Sequence, residues 1–418
     1  MNKQRNYLIV GLILLTFFVI SFLTNILGAL NPSVSLSFDL SETMAGFLPF
    51  SFFIAYGVMS IPAGFLVEKY GEKRLMIVAF LMAFAGSLLF AGVPSFIVFL
   101  ISLFTIGAGM AILQVVINPL LRVSGGEENY AFTSVMAQLI FGLASFISPQ
   151  MYSWLVNGID GKSEDAGSVI LFLKDIVPVD MSWVSIYWMF AIFSLLMIVV
   201  IMITKFPKVQ LNEDEKAGSK EAYLSLFKNK LVILYFFGIF AYVGTEQGIS
   251  YWMSKFLSEY HGLDYKTVGA DAVAYFWGLM TIGGILGLVL LKIMDSKLVL
   301  KIFTIAAIIS LVAALFGSAD VSYYSFMMSG FFLSVMYPII ISLALNSMPN
   351  HHGAFAGILM TGIMGGAVVQ LIIGFISDFS SLKLGMLFIF VTLAYILSIA
   401  FWSKPLINNK IIKIKELF

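Results

Sequence analysis

Long apolar runs, each close to the thickness of a bilayer, alternate along this chain with short polar punctuation. A helix needs roughly 20 apolar residues to cross membrane hydrocarbon. On that ruler the pattern predicts helices near residues 7–31, 43–67, 74–93, 95–122, 130–156 and 183–204. The polar stretch KFPKVQLNEDEKAGSKEAYLSLFKNK (205–230) follows, and six more helices are predicted near 231–256, 268–293, 297–317, 321–347, 353–377 and 384–403. The expected fold is an all-α integral membrane protein, with twelve transmembrane helices in two six-helix halves. The N-terminal half covers 1–204, a cytoplasmic linker 205–230, and the C-terminal half with its short basic tail 231–418. The first run follows a short basic start and is too long for a signal-peptide core, so it reads as an uncleaved membrane helix.

Charge then sets the sides. Most of the 24 Lys and Arg fall where a chain with both termini inside would place them. These are Lys3 and Arg5, the cluster Lys69, Lys73 and Arg74, then Arg122, six linker lysines, Lys292, Lys297 and Lys301, and the tail lysines. Only Lys162, Lys174, Lys255, Lys266 and Lys383 fall on the other side. Basic residues favour the cytoplasmic face, so a multi-pass protein of a bacterial-type inner membrane with both termini cytoplasmic is expected.

Composition narrows the chemistry. Hydrophobic residues make up 60% and charged residues 11% of 418, against roughly half and a quarter in soluble domains. The absence of Cys excludes disulfides and thiolate metal sites. Three His leave little for a metal centre, and a net charge of +1 gives no reason to expect nucleic acid. Partners are membrane lipid and a small molecule, and the chain reads as a monomer. No covalent chemistry or organic cofactor is implied, so an enzyme is not expected.

Six helices, a basic linker and six helices suit a transporter with nested inverted repeats around a midplane site. The segment IPAGFLVEKYGEKR (61–74) resembles the loop signature of the major facilitator superfamily in Gly64, Glu68, Lys69, Gly71, Lys73 and Arg74. Small residues let helices approach closely, a glycine permits a tight turn, and the charges can form pairs that hold one end state shut. Narrower likenesses follow. SFFIAYGVMSIPAG (51–64), LQVVINPLLRV (113–123), YVGTEQGISYW (242–252), YFWGLMTIGG (275–284), FLSVMYPIIISLAL (332–345) and GILMTGIMGGAVVQLIIGFISD (357–378) resemble motifs of the fucose–proton and glucose/galactose transporter family. That resemblance implies the major facilitator fold and a monosaccharide carrier working by alternating access. Gln114 fits the glucose/galactose branch. Two positions depart from the family pattern. Gly28 stands where relatives carry an acid on helix 1, and Gly283-Gly284 where relatives often have Gly-Arg.

A sugar presents hydroxyls and apolar ring faces, so its site needs amides or carboxylates and an aromatic platform. Candidates are Asn25, Gln114, Asn118, Gln138, Glu246, Gln247, Trp277, Asn346 and Gln370. Gln114 and Asn118, four apart, share a helix face. Any of these amides can instead tie neighbouring helices together, at roughly 1 kcal/mol or less. Trp252 reads as an interfacial anchor, and Trp154, Trp183, Trp188 and Trp402 as belt residues. Pro119, Pro149, Pro338 and the glycines Gly362, Gly365 and Gly366 are expected to interrupt helices 4, 5, 10 and 11.

Glu246 stands apart. Counting from Leu231 places it roughly 22 Å along helix 7, somewhat past the midplane. Carboxylates at that depth mark substrate, ion or proton pathways. It can exchange a proton, ligate Na⁺, or accept sugar hydroxyls. The expected activity is import of a hexose or deoxyhexose coupled to H⁺ or Na⁺. The alternatives are an uncoupled sugar facilitator and an exporter of hydrophobic compounds on the same fold.

Overall fold

A computed structural model describes residues 7–126, 130–161, 167–207 and 220–406, with backbone alone at 130, 131 and 220. Most of the linker, including Lys208 and Lys216, lies outside the described residues, as do Lys162, Lys3, Arg5, Lys410, Lys413 and Lys415.

Among the described residues, twelve helices are long and apolar enough to cross a membrane. They are α1 (Tyr7–Phe38), α2 (Glu42–Tyr70), α3 (Glu72–Gly92), α4 (Phe96–Gly125), α5 (Phe132–Asp160), α6 (Ser182–Ile203), α7 (Lys230–His261), α8 (Tyr265–Ile293), α9 (Ser296–Phe316), α10 (Ala319–Leu345), α11 (His352–Phe379) and α12 (Leu382–Trp402). "Inner" below means the face bearing the termini and linker. Two short helices lie outside the bundle, Ser168–Ile176 on the outer face and Lys220–Phe227 in the linker. The linker helix docks through Tyr223, whose ring meets Phe65 of α2 and whose hydroxyl faces Gly357 of α11.

Helix ends follow local chemistry. Ser41 caps α2 by accepting from the Met44 amide, and Asp295 caps α9 by accepting from Lys297 and Leu298. Gly71 joins α2 to α3 at φ +82°, a conformation that favours glycine. Pro338 cannot donate to the Ser334 carbonyl, and α10 breaks there into Ala319–Leu333 and Met336–Leu345. In α11 a 3₁₀ turn at Gly362–Met364 interrupts the helix. Pro119 and Pro149, expected to break their helices, sit inside continuous ones. An unforeseen break divides α1 after Thr24, before Leu27.

The halves meet along two seams, α2 against α11 and α5 against α8, and where the outer segment of α1 packs on α7. Their outer ends are tied by polar contacts. Lys255 of α7 pairs with Glu42 of α2 at 2.7 Å. Asp378 of α11 accepts from the Glu42 amide at 2.7 Å, and from the Thr43 amide and Ser41 hydroxyl at 3.0 Å each. The Tyr251 hydroxyl donates to the Ala45 carbonyl, and Asn31 donates to that of Tyr251. Gln150 donates to Asp271, and Lys266 pairs with Asp160, across the α5–α8 seam. Asp271 and Asp378 are therefore engaged by the opposite half.

Toward the inner face the contact between the halves continues through α2 against His352–Thr361 of α11. The extensive packing of α4 stays within α1, α2, α3 and α5, and that of Met336–Leu345 within α7, α9 and α11. The arrangement is closed at its outer face.

Candidate functional site

α7 is longer than the apolar run suggested and continues past residue 256 to His261. Glu246 consequently lies at the centre of the helix. The Tyr242 hydroxyl, one turn earlier, donates to its Oε1 at 2.7 Å. The Gln247 amide approaches Oε2 at 3.4 Å. Tyr242 and Gln247 are buried, while Glu246 keeps partial accessibility. Among the described residues no basic side chain pairs with it.

The cluster extends to α10 and then across to the first half. The Tyr337 ring packs on Tyr242 at a centroid distance of 5.6 Å. Tyr337 lies within electrostatic reach of both Glu246 and Tyr56 of α2. The Gln114 amide donates to the Tyr56 hydroxyl at 3.4 Å, and Thr24 of α1 approaches the same group. Asn118, one turn inward on α4, donates to the Gln114 carbonyl at 3.1 Å. Phe53 of α2 and Gln247 both pack on Gly366 of α11. Hydroxyls, amides, a carboxylate and aromatic faces from both halves thus converge near the middle of the bundle, an arrangement suited to a small polyhydroxylated ligand.

Tyr56, Tyr242 and Tyr337 were missed as sequence candidates. Each stands within one of the motifs above, SFFIAYGVMSIPAG, YVGTEQGISYW and FLSVMYPIIISLAL, which was the available signal.

The other candidates make none of the contacts just described. Asn25 donates to Ser145 at 2.8 Å and joins a Ser21–Ser145 contact that ties α1 to α5. Gln138 is exposed on α5. Asn346 caps the inner end of α10, where its amide meets Ser342. Trp277 is buried against Phe276, and its indole N–H has no protein partner. Gln370 is fully buried on α11. Trp252, expected at the interface, is also fully buried, because the outer end of α7 is enclosed by the seam. Trp183 likewise leaves the belt, donating to Ser37 and stacking on Phe90, whereas Trp154 is exposed.

In the loop signature, Lys73 donates to the Met202 and Thr204 carbonyls at 2.8 Å each, fastening α3 to the end of α6. Lys69 lies over the Tyr70 ring at 5.1 Å. Glu68 and Arg74 are exposed and Gly64 half-buried. Gly28 has a structural reason for lacking a side chain. A Cβ there would overlap the Ser250 carbonyl oxygen of α7. Gly283 is similarly pressed against the Phe331 carbonyl and Ser334 of α10.

Residues 13–370 match the sequence profile of the Major Facilitator Superfamily. The glucose/galactose transporter of Brucella abortus biovar 1 (strain 9-941) is 31% identical over 401 residues, 94% of each chain. The L-fucose-proton symporter of Escherichia coli (strain K12) is 27% identical over 90% of this chain and 89% of its own. A crystal structure of the E. coli fucose:proton symporter FucP superposes with a TM-score of 0.68 at 25% identity, covering 95% of this chain and 98% of that one. The chain belongs to the Major Facilitator Superfamily, within its fucose–proton symporter and glucose/galactose transporter family.

Proposed function

We propose that this transporter imports a monosaccharide, a hexose or deoxyhexose, by alternating access, driven by protons. The observation that carries the proposal is Glu246, a carboxylate at the centre of α7 held by the neutral donors Tyr242 and Gln247. A charge held there without a cationic partner is costly, and taking up a proton removes the charge. Glu246 can therefore load a proton on one side and release it on the other. The family relatives named for glucose, galactose and fucose support a sugar as cargo, and the one named a proton symporter supports the ion.

Gln114, Asn118 and Gln247 then supply amides to sugar hydroxyls, and Tyr56 and Tyr242 supply hydroxyls. Tyr337 offers the ring face that the sequence suggested for Trp277. The units that rock against each other are 1–204 and 231–418, with 205–230 as the tether. The protein sits in an inner membrane with both termini cytoplasmic.

The test is uptake of D-glucose, D-galactose and L-fucose into proteoliposomes under an imposed pH gradient, an imposed Na⁺ gradient, or neither. Accumulation above the external concentration under the pH gradient is expected for at least one sugar. Accumulation under the Na⁺ gradient alone would contradict proton coupling. Equilibration without accumulation would mean a facilitator. No sugar uptake, with binding of lipophilic cations, would mean an exporter.

A further inference from the structure

Gln370 is fully buried, and neither its amide oxygen nor its amide nitrogen has a protein hydrogen-bond partner. Buried amides are nearly always paired, so this one needs a reason. Its position supplies one. Gly366, one turn inward on the same helix, packs on Phe53 and on Gln247, the neighbour of Glu246. Gln370 therefore occupies the next layer outward from the cluster around Glu246.

Its backbone packs against the closed outer seam. A Cβ on Gly46 of α2 would press on the Gln370 carbonyl, and one on Gly374 would overlap the Glu42 carbonyl, so α2 and α11 touch backbone to backbone at this layer and at the next one outward. The ties that hold the seam shut, Asp378 on the α2 N-terminus and Lys255 on Glu42, lie just above. Moving the outer end of α2 away from α11 would uncover the amide directly above the central cluster. The Trp252 and Trp277 indole N–H groups, on α7 and α8, are buried unpaired in the same state.

We propose that Gln370 is a substrate contact of the outward-facing state. Its amide both donates and accepts, as a sugar hydroxyl requires. It meets the sugar as it enters from outside, and closure of the α2–α11 seam removes it from the sugar as the site turns inward. This inference rests on the sugar-transport reading.

The chain has no cysteine, so Gln370→Cys introduces a single thiol into the full-length transporter. The variant is reconstituted and exposed from the outer face to a membrane-impermeant maleimide, with and without D-glucose, D-galactose or L-fucose. Labelling is expected, with the transported sugar slowing it by about tenfold, as loss of access to an occupied site requires. A thiol that never labels, or that labels at the same rate with a sugar the wild-type protein carries, overturns the proposal.

Gln370→Leu and Gln370→Asn give a second readout. Leu should raise the half-saturating sugar concentration at the outer face about tenfold, from one lost polar contact. The inner-face value should change less than about twofold, and Asn should recover part of the loss. An equal rise at both faces would mean that Gln370 acts through bundle shape, and also overturns the proposal. Wild-type protein that carries none of the three sugars would overturn the sugar reading instead.

Discussion

The Tyr242 hydroxyl donates a 2.7 Å hydrogen bond to Glu246 one turn further along α7. Hydrocarbon supplies no such donor, so the tyrosine replaces part of the hydration that the carboxylate loses. Tyr242→Phe removes the donor and keeps the ring that packs on Tyr337. Gradient-driven uptake should fall about tenfold, the equivalent of roughly 1.5 kcal/mol for a bond to a charged group. Initial rates on the purified variant check this, and an unchanged rate would show that the hydroxyl does not serve the carboxylate.

Gly28 permits α1 and α7 to close on each other at the outer face, because any side chain there would meet the Ser250 carbonyl. Gly28→Ala should hold the outer face open. Spin labels on the outer ends of α2 and α11 should report longer distances than in the wild-type protein, with uptake reduced. A wild-type distance distribution in this variant would remove the steric explanation for glycine at the position.

Asp378 caps the N-terminus of α2 from the opposite half. A carboxylate at that place stabilises the orphan amides and the positive end of the helix by about 1–2 kcal/mol. Asp378→Ala should shift the population toward the outward-facing state by about tenfold. The same label pair measures the shift. Lys255→Met should act in the same direction, since it leaves the partly buried Glu42 carboxylate without its cation.

Lys73 holds two terminal carbonyls of α6, a contact within the first half alone. Lys73→Ala should therefore lower the melting temperature by about 1 °C, for a loss near 1 kcal/mol. It should leave the outer-face distance unchanged. A change in that distance would mean that the loop signature also controls the outer gate.

The twelve crossings were legible because hydrocarbon demands an unbroken apolar helix of fixed length. The extensions were not. α1 runs on to Phe38 through Ser33, Ser35 and Ser37, which look like a loop by hydropathy. In the fold they bond Tyr152, Asn31 and Trp183 within the first half. Glu246 and Gln114 stood out as strong polar groups in apolar runs. The tyrosines beside them did not, because a tyrosine is an ordinary membrane residue until its hydroxyl is seen to face a carboxylate or an amide. Asn25, Gln138 and Asn346 show the converse limit. Spacing shows that an amide lies on a membrane helix, while packing alone decides whether it faces Ser145, the exposed surface or the inner end of its helix.

In the proposed mechanism, sugar movement and proton movement meet at one side chain, Glu246. The direct measurement is sugar transport by Glu246→Gln in proteoliposomes, read once as counterflow exchange with sugar on both sides and once as accumulation under an imposed pH gradient. The expected result is exchange retained within about tenfold, as for a lost contact of about 1.4 kcal/mol, with accumulation abolished. Accumulation at the wild-type level in this variant would contradict a proton-carrying role for Glu246.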